Sequence, residues 1–180
     1  MSGRFIAMVG PSGVGKDSVM EAMVAGNPKI VLARRVITRP SEAGGEAFDG
    51  VSEEEFQRRA DAGDFALHWP AHGLHYGILQ SVDKDLVEGN DVLANLSRAV
   101  LLEAQVRFAR FEVINLTAKR LVLAARLAGR GRETPEQISA RLDRTAPPLP
   151  AGIHVHAIDN NYALGSTVQE IRSRLYPVKV

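Results

Sequence analysis

Gly10-Pro11-Ser12-Gly13-Val14-Gly15-Lys16-Asp17-Ser18 decides how the chain is read. Before it, Phe5-Ile6-Ala7-Met8-Val9 is a short apolar run of the kind a buried strand makes. After it, Val19, Met20, Met23 and Val24 recur at helical spacing, so a helix opens within the loop. Strand, glycine-rich loop and helix N-terminus together make an anion site. Glycines let the backbone turn so that its N–H groups converge on phosphate oxygens. The helix dipole adds partial positive charge, and Lys16 can reach the β- and γ-phosphates. The spacing G-x-x-x-x-G-K is that of a P-loop, with one departure. Ser or Thr ordinarily follows the lysine and binds Mg²⁺ through its hydroxyl; here Asp17 follows, and Ser18 comes one place later. A plain glycine-rich turn, with Asp17 favoured by the helix dipole, is the competing reading. The strand-loop-helix context favours the nucleotide site, with Asp17 and Ser18 as the metal-holding pair.

The chain has 180 residues, 45% hydrophobic and 24% charged, which suits one folded domain over 1–180 with a substantial core. Its net charge of +1 exerts no whole-chain pull toward nucleic acid or an anionic membrane. With no cysteine, disulfides and thiolate metal sites are excluded. No apolar stretch is long enough to cross a bilayer, and the N-terminal apolar run leads straight into the phosphate loop rather than forming a signal segment. A cytoplasmic enzyme, monomeric or homodimeric, is expected.

In chain order, the first helix should stop near Gly26-Asn27-Pro28, and Ile30 to Ile37 reads as a second strand. Thr38-Arg39-Pro40 leads into a flexible, glycine-rich loop from Ser41 to Gly50. Ser52 with Glu55 is a capping box for a helix to about Ala62. Phe65 to Trp69 looks extended, His72 to Gly77 has hairpin-like punctuation, and Ser81 to Glu88 is a short helix closed by Gly89. Asp91 to Leu96 is a buried strand, and Ser97 caps a helix to about Phe108. Phe111 to Leu116 is a strand and Lys119 to Leu127 a helix. Thr134, Pro135 and Gln137 open another helix to about Thr145. After the stiff connector Ala146 to Pro150 come a last strand, His154 to Ile158, a turn at Asp159-Asn160-Asn161, and a closing helix, Leu164 to Leu175. Strands alternating with helices predict an α/β fold: a P-loop NTPase with a parallel sheet covered by helices on both faces. Ligands bind beyond the carboxyl ends of such strands, where the phosphate loop lies.

A triphosphate site alone does not separate a kinase from a switch or a motor. From Lys119 to Arg144 there are seven basic residues against three acidic ones. Gly129 and Gly131 between the arginines predict a hinged lid, about 128–145. Mobile arginines suit phosphoryl transfer, where charge needs stabilising and water must be kept out. Arg130, Arg132 and Arg141 are therefore catalytic candidates beside Lys16, whereas Lys119, Arg120 and Arg144 read as a solvated face. The acceptor segment, about 38–80, offers Arg39 as a phosphate fork and Tyr76 as a hydroxyl donor. His68, His72 and His75 fit no helical ligand face, so they are expected to be surface groups or substrate hydrogen-bonders, not a metal cluster.

Taken together these pieces resemble the guanylate kinase branch of the P-loop nucleoside monophosphate kinases. Gly10 to Lys16 matches its loop, Thr38-Arg39-Pro40 with Gly45-Glu46 its phosphate-gripping segment, Tyr76-Gly77 its Tyr-Gly, and Arg130-Gly131-Arg132 its lid. Four departures stand out. No second arginine follows Arg39, Phe48 replaces a tyrosine, Pro70 replaces the guanine-reading glutamate, and Asn95-Leu96-Ser97 replaces Asp-x-Asp. The ribose 1,5-bisphosphate phosphokinases of bacterial phosphonate breakdown are similar in these departures, in Gly15 to Ser18, Gly73 to Gly77, Asn95 to Arg98 and Arg130 to Glu133. The resemblance implies transfer of the γ-phosphoryl of ATP, with Mg²⁺, to ribose 1,5-bisphosphate, making 5-phosphoribosyl 1-diphosphate. It implies that Gly10, Pro11, Ser12, Gly13, Val14, Gly15 and Lys16 hold ATP, and that Arg39, Tyr76, Ser97 and Arg98 grip the acceptor. A guanylate kinase is the alternative. A non-catalytic guanylate-kinase-like binding module is less favoured, since such modules usually lose the loop that Lys16 belongs to.

Overall fold

In the computed structural model, which describes residues 1–178, five strands form a wholly parallel sheet. They are β1 (Phe5–Val9), β2 (Ile30–Leu32), β7 (Asp91–Asn95), β8 (Phe111–Thr117) and β9 (Val155–Asp159), in the order β2-β7-β1-β8-β9. Every residue of β1 is buried, and its side chains divide by the period of two. Phe5, Ala7 and Val9 enter one core with Val92, Ala94 and Val113, under α4 (Leu101–Arg107) and Trp69. Ile6 and Met8 enter the other with Leu93, Ile114, Leu116 and Ile158. That second face is covered by α1 (Lys16–Ala25), through Val19, Met20 and Met23, and by α7 (Leu164–Leu175), through Val168 and Ile171. Burial on both faces explains why β1 and β7 read as nearly continuous apolar runs, whereas the edge strand β9 alternates.

The stretch Ile30 to Ile37, expected to be one strand, is two. The chain leaves the main sheet after Leu32, with Ala33 N–H still donating to Leu93 O at 2.9 Å, and β3 (Arg35–Ile37) enters a second sheet. This four-stranded sheet, ordered β4-β3-β6-β5, also contains β4 (Phe48–Gly50), β5 (Phe65–Ala71) and β6 (Leu74–Leu79). The expected loop over 41–50 therefore holds a strand, β4, parallel to β3, after a 3₁₀ turn at Ser41–Ala43. The hairpin β5–β6 turns on His72 and Gly73, both at positive φ (52° and 74°), which suits the twist of the flanking strands. The helix α2 (Glu53–Asp61) seals a small cluster of Val36, Phe56 and Phe65. Ser52 accepts from Glu55 N–H as expected, but the Glu55 carboxylate turns to Arg58 and Arg59. The remaining helices are α3 (Val82–Val87), α5 (Arg120–Gly129) and α6 (Pro135–Leu142), the last with a complete Thr134–Gln137 capping box.

Charges close the amino ends of the main sheet. Arg4 donates to Asp91 through Nε (3.2 Å) and Nη2 (2.8 Å), and to Glu112 Oε1 (3.0 Å) and Leu175 O (2.9 Å) through Nη1. Tyr176 donates its hydroxyl proton to Asp91 Oδ2 at 2.6 Å. Burial alone would raise the Asp91 pKa, but the bonds from Arg4 and Tyr176 hold it below the ordinary carboxylate value. A depressed folded-state pKa gives stability that is complete above the unfolded value, near 3.8, and lost as pH falls through the lower folded value. Asp91→Asn should thus cost about 1–3 kcal/mol at neutral pH. Urea melts of both proteins should show the gap closing below about pH 4; a gap that stays constant with pH would assign the loss to shape rather than charge.

Candidate functional site

The phosphate loop leaves β1 at the carboxyl end of the sheet. Gly13 and Gly15 hold φ of 83° and 97°, left-handed values that side chains resist. Space forbids them too: a Cβ on Gly13 would stand 3.0 Å from Leu127 Cγ, and one on Gly15 2.9 Å from Asn160 Nδ2. The loop is clamped from behind. Asn160 Nδ2 (2.7 Å) and Arg126 Nη1 (3.2 Å) both donate to Val14 O. Arg126 Nη2 also donates to Asn160 O at 2.6 Å, and Thr167 Oγ1 to Asn160 Oδ1 at 2.5 Å. With its carbonyl pinned behind it, the loop presents its N–H groups forward.

Lys16 opens α1, and its ammonium donates to Gly10 O at 2.7 Å. Burial pushes its pKa down to about 8; Asp17 opposes this, while Arg35, Arg130 and Arg141 add to it. Lys16 thus feels three arginines across one cleft, a costly arrangement that a polyanion would relieve. Asp17 has a buried carboxylate oxygen, Oδ1, without a hydrogen-bond partner, and Ser18 is exposed.

Arg141 pairs with Glu133, and its Nε is buried without a partner. Arg130 is exposed, and Arg132 reaches across so that its Nη2 would stand 3.3 Å from a Cβ on Gly44. Lid and acceptor segment therefore meet. In that segment the Arg39 guanidinium lies 4.3 Å over the Phe48 ring and donates to Gly44 O at 3.3 Å, leaving Nε buried and unpartnered. Phe48, the departure that lacks a hydroxyl, serves as the platform for Arg39. Tyr76 stacks on Trp69 at 5.6 Å, and Gly77 is required because a Cβ there would stand 2.5 Å from the Phe65 ring. Ser97 caps the turn Arg98–Val100, and Arg98 donates to Pro147 O and Asn115 Oδ1, tying the connector to the end of β8.

Three residues of the site were missed by sequence reasoning: Arg35, Glu46 in its pairing with Arg35, and Arg126. Arg126 had been grouped only with the charged run, and no spacing marks it as a loop clamp. His68 and His75 pack around Phe56, at ring separations of 6.3 and 5.5 Å. Among the described residues the grouping that could ligate a metal is instead Glu112, His154 and His156, at the amino ends of β8 and β9, where Glu112 is already compensated by Arg4. It lies at the far end of the sheet from the loop.

No family model matches the chain. A ribose 1,5-bisphosphate phosphokinase of Ruegeria sp. (strain TM1040) is 52% identical over 172 residues, covering 95% of this chain and 90% of that protein. One from Agrobacterium fabrum is 43% identical over 92% and 94% of the two chains. A bifunctional ribose 1,5-bisphosphokinase-thymidine phosphorylase of Cupriavidus pinatubonensis is 45% identical over 91% of this chain, which spans only 27% of that longer protein. Among solved structures, guanylate kinase from Anaplasma phagocytophilum superposes with a TM-score of 0.67 at 18% identity, over 99% and 88% of the two chains. That likeness is one of fold.

The clamp on Val14 generates a prediction. Asn160→Ala removes the donor to Val14 O and strands the buried Thr167 hydroxyl, a loss of about 1–3 kcal/mol. It should also weaken nucleoside triphosphate binding, measured by calorimetry, more than acceptor binding. Unchanged nucleotide affinity would show that the loop keeps its shape without the clamp.

Proposed function

The chain belongs to the ribose 1,5-bisphosphate phosphokinase family, and on that premise we propose how its cleft carries out the transfer. It is a phosphotransferase with ribose 1,5-bisphosphate as acceptor, and its product is 5-phosphoribosyl 1-diphosphate. In our reading ATP is the donor. An oxygen of the acceptor's 1-phosphate attacks the γ-phosphorus while the β,γ-bridging oxygen leaves with ADP. The attacking oxygen is already anionic, so no strong general base is needed, and positioning with charge compensation supplies the catalysis.

The convergence of Lys16, Arg35, Arg130 and Arg141, with Arg39 beside Arg35, is the observation that carries this reading. Two polyanions brought together need such a set of cations. Lys16 and the N–H groups of Gly10 to Gly15 would hold the donor phosphates. Arg39 and Tyr76 would grip the acceptor, with Ser97 and Arg98 forming its wall. Arg130, Arg132 and Arg141 would close over the transferring group and keep water out. Mg²⁺, when bound, neutralises phosphate charge; the orphaned oxygen of Asp17 is the kind of hard donor that ion takes, with the Ser18 hydroxyl close by in sequence.

An acceptor panel tests the reading. ADP release should follow addition of ribose 1,5-bisphosphate and not of GMP, with the product confirmed by mass; turnover of GMP alone would restore the guanylate kinase reading. Lys16→Ala should lower kcat/KM by about 10²-fold or more while circular dichroism stays unchanged.

A further inference from the structure

A half-buried ion pair sits in the acceptor half of the cleft, and neither the spacing nor any family motif marks Arg35 as part of it. The Arg35 side chain, 12% exposed, meets Glu46, 17% exposed, through both ends of its fork: Nε to Oε2 at 3.0 Å, and Nη2 to Oε1. Its third arm donates to Asn95 O at 3.4 Å, and its face lies 4.9 Å from the centre of the Tyr76 ring, itself backed by Trp69. Arg35 is therefore held on every side. Glu46, with Ala47, Asn95 and Asp17, lines a cavity of about 40 Å³, room for about three water molecules.

That arrangement has two chemical consequences. First, the Arg35 side chain lies between Glu46 and the Tyr76 ring, so the pair and its stack occupy space beside Tyr76 that a planar base would need. Second, a carboxylate bound by an arginine fork keeps further lone pairs, and carboxylates take vicinal sugar hydroxyls well. A carboxylate is otherwise an odd neighbour for a bisphosphate, which it would repel; hydroxyl recognition gives it a use.

We infer that Glu46 accepts hydrogen bonds from the ribose hydroxyls of the acceptor, and that Arg35 positions it while the pair excludes a base. Glu46 is the residue that distinguishes a phosphorylated ribose from its deoxy counterpart. This rests on the acceptor assigned above, so the experiment separates the two. Wild-type enzyme is assayed with ribose 1,5-bisphosphate, 2-deoxyribose 1,5-bisphosphate and GMP, then compared with Glu46→Gln, Arg35→Lys and Arg35→Met, each checked by thermal melting.

The expected wild-type result is at least a tenfold preference in kcat/KM for ribose over deoxyribose. Glu46→Gln should shrink that ratio severalfold, raise KM for the sugar and leave KM for ATP unchanged. Arg35→Met should also shrink the ribose-to-deoxyribose ratio, and Arg35→Lys should recover part of it. Equal wild-type use of the two sugars overturns the inference without any variant, as does an unaltered ratio in a folded Glu46→Gln enzyme. Inactivity of the wild type on both sugars, with turnover of GMP, overturns the assigned acceptor instead.

Discussion

A backbone held in a shape that side chains resist is the constraint from which the rest of this protein follows. Gly13 and Gly15 adopt left-handed φ values, and the carbonyl between them, that of Val14, is fixed by Asn160 and Arg126. Those two residues come from the segment after β9 and from α5, so the loop is shaped by parts of the chain more than a hundred positions away. The parallel sheet serves this purpose. It delivers β1, β8 and β9 side by side, so that their carboxyl ends place loop, clamp and lid together.

The cleft is assembled from charges that would repel one another without a ligand. Lys16 is half-buried near arginines, Arg35 is balanced by Glu46, and Arg39 rests on an aromatic face. Each cation is stabilised locally by a different device: a carbonyl, a carboxylate or a π system. This lets the site stay folded while keeping positive potential for its substrates. The opposite end of the sheet is the reverse case. There Arg4, Asp91, Glu112 and Tyr176 satisfy one another.

Much of this was legible in the sequence, for reasons that differ from one element to the next. β1, the phosphate loop and α1 were readable because apolar runs, glycine spacing and helical periodicity are local signals. The capping box at Thr134 and the turn at His72-Gly73 were readable for the same reason. The second sheet was not: β3 and β4 have three residues each, too short for a period to register, and no glycine or proline marks the jog at Ala33 between two apolar stretches. Arg35 was hidden because its meaning depends on Glu46, Asn95 and Tyr76, which reach it only through the fold. Arg126 looked like one more positive residue on an amphipathic helix. Phe48 read as a lost hydroxyl, whereas its ring supports Arg39.

The anchoring of Leu175 and Tyr176 onto Arg4 and Asp91 ties the closing helix to the pole of the sheet remote from the phosphate loop. A pull on that helix would fall first on the charged seal rather than on the nucleotide cradle.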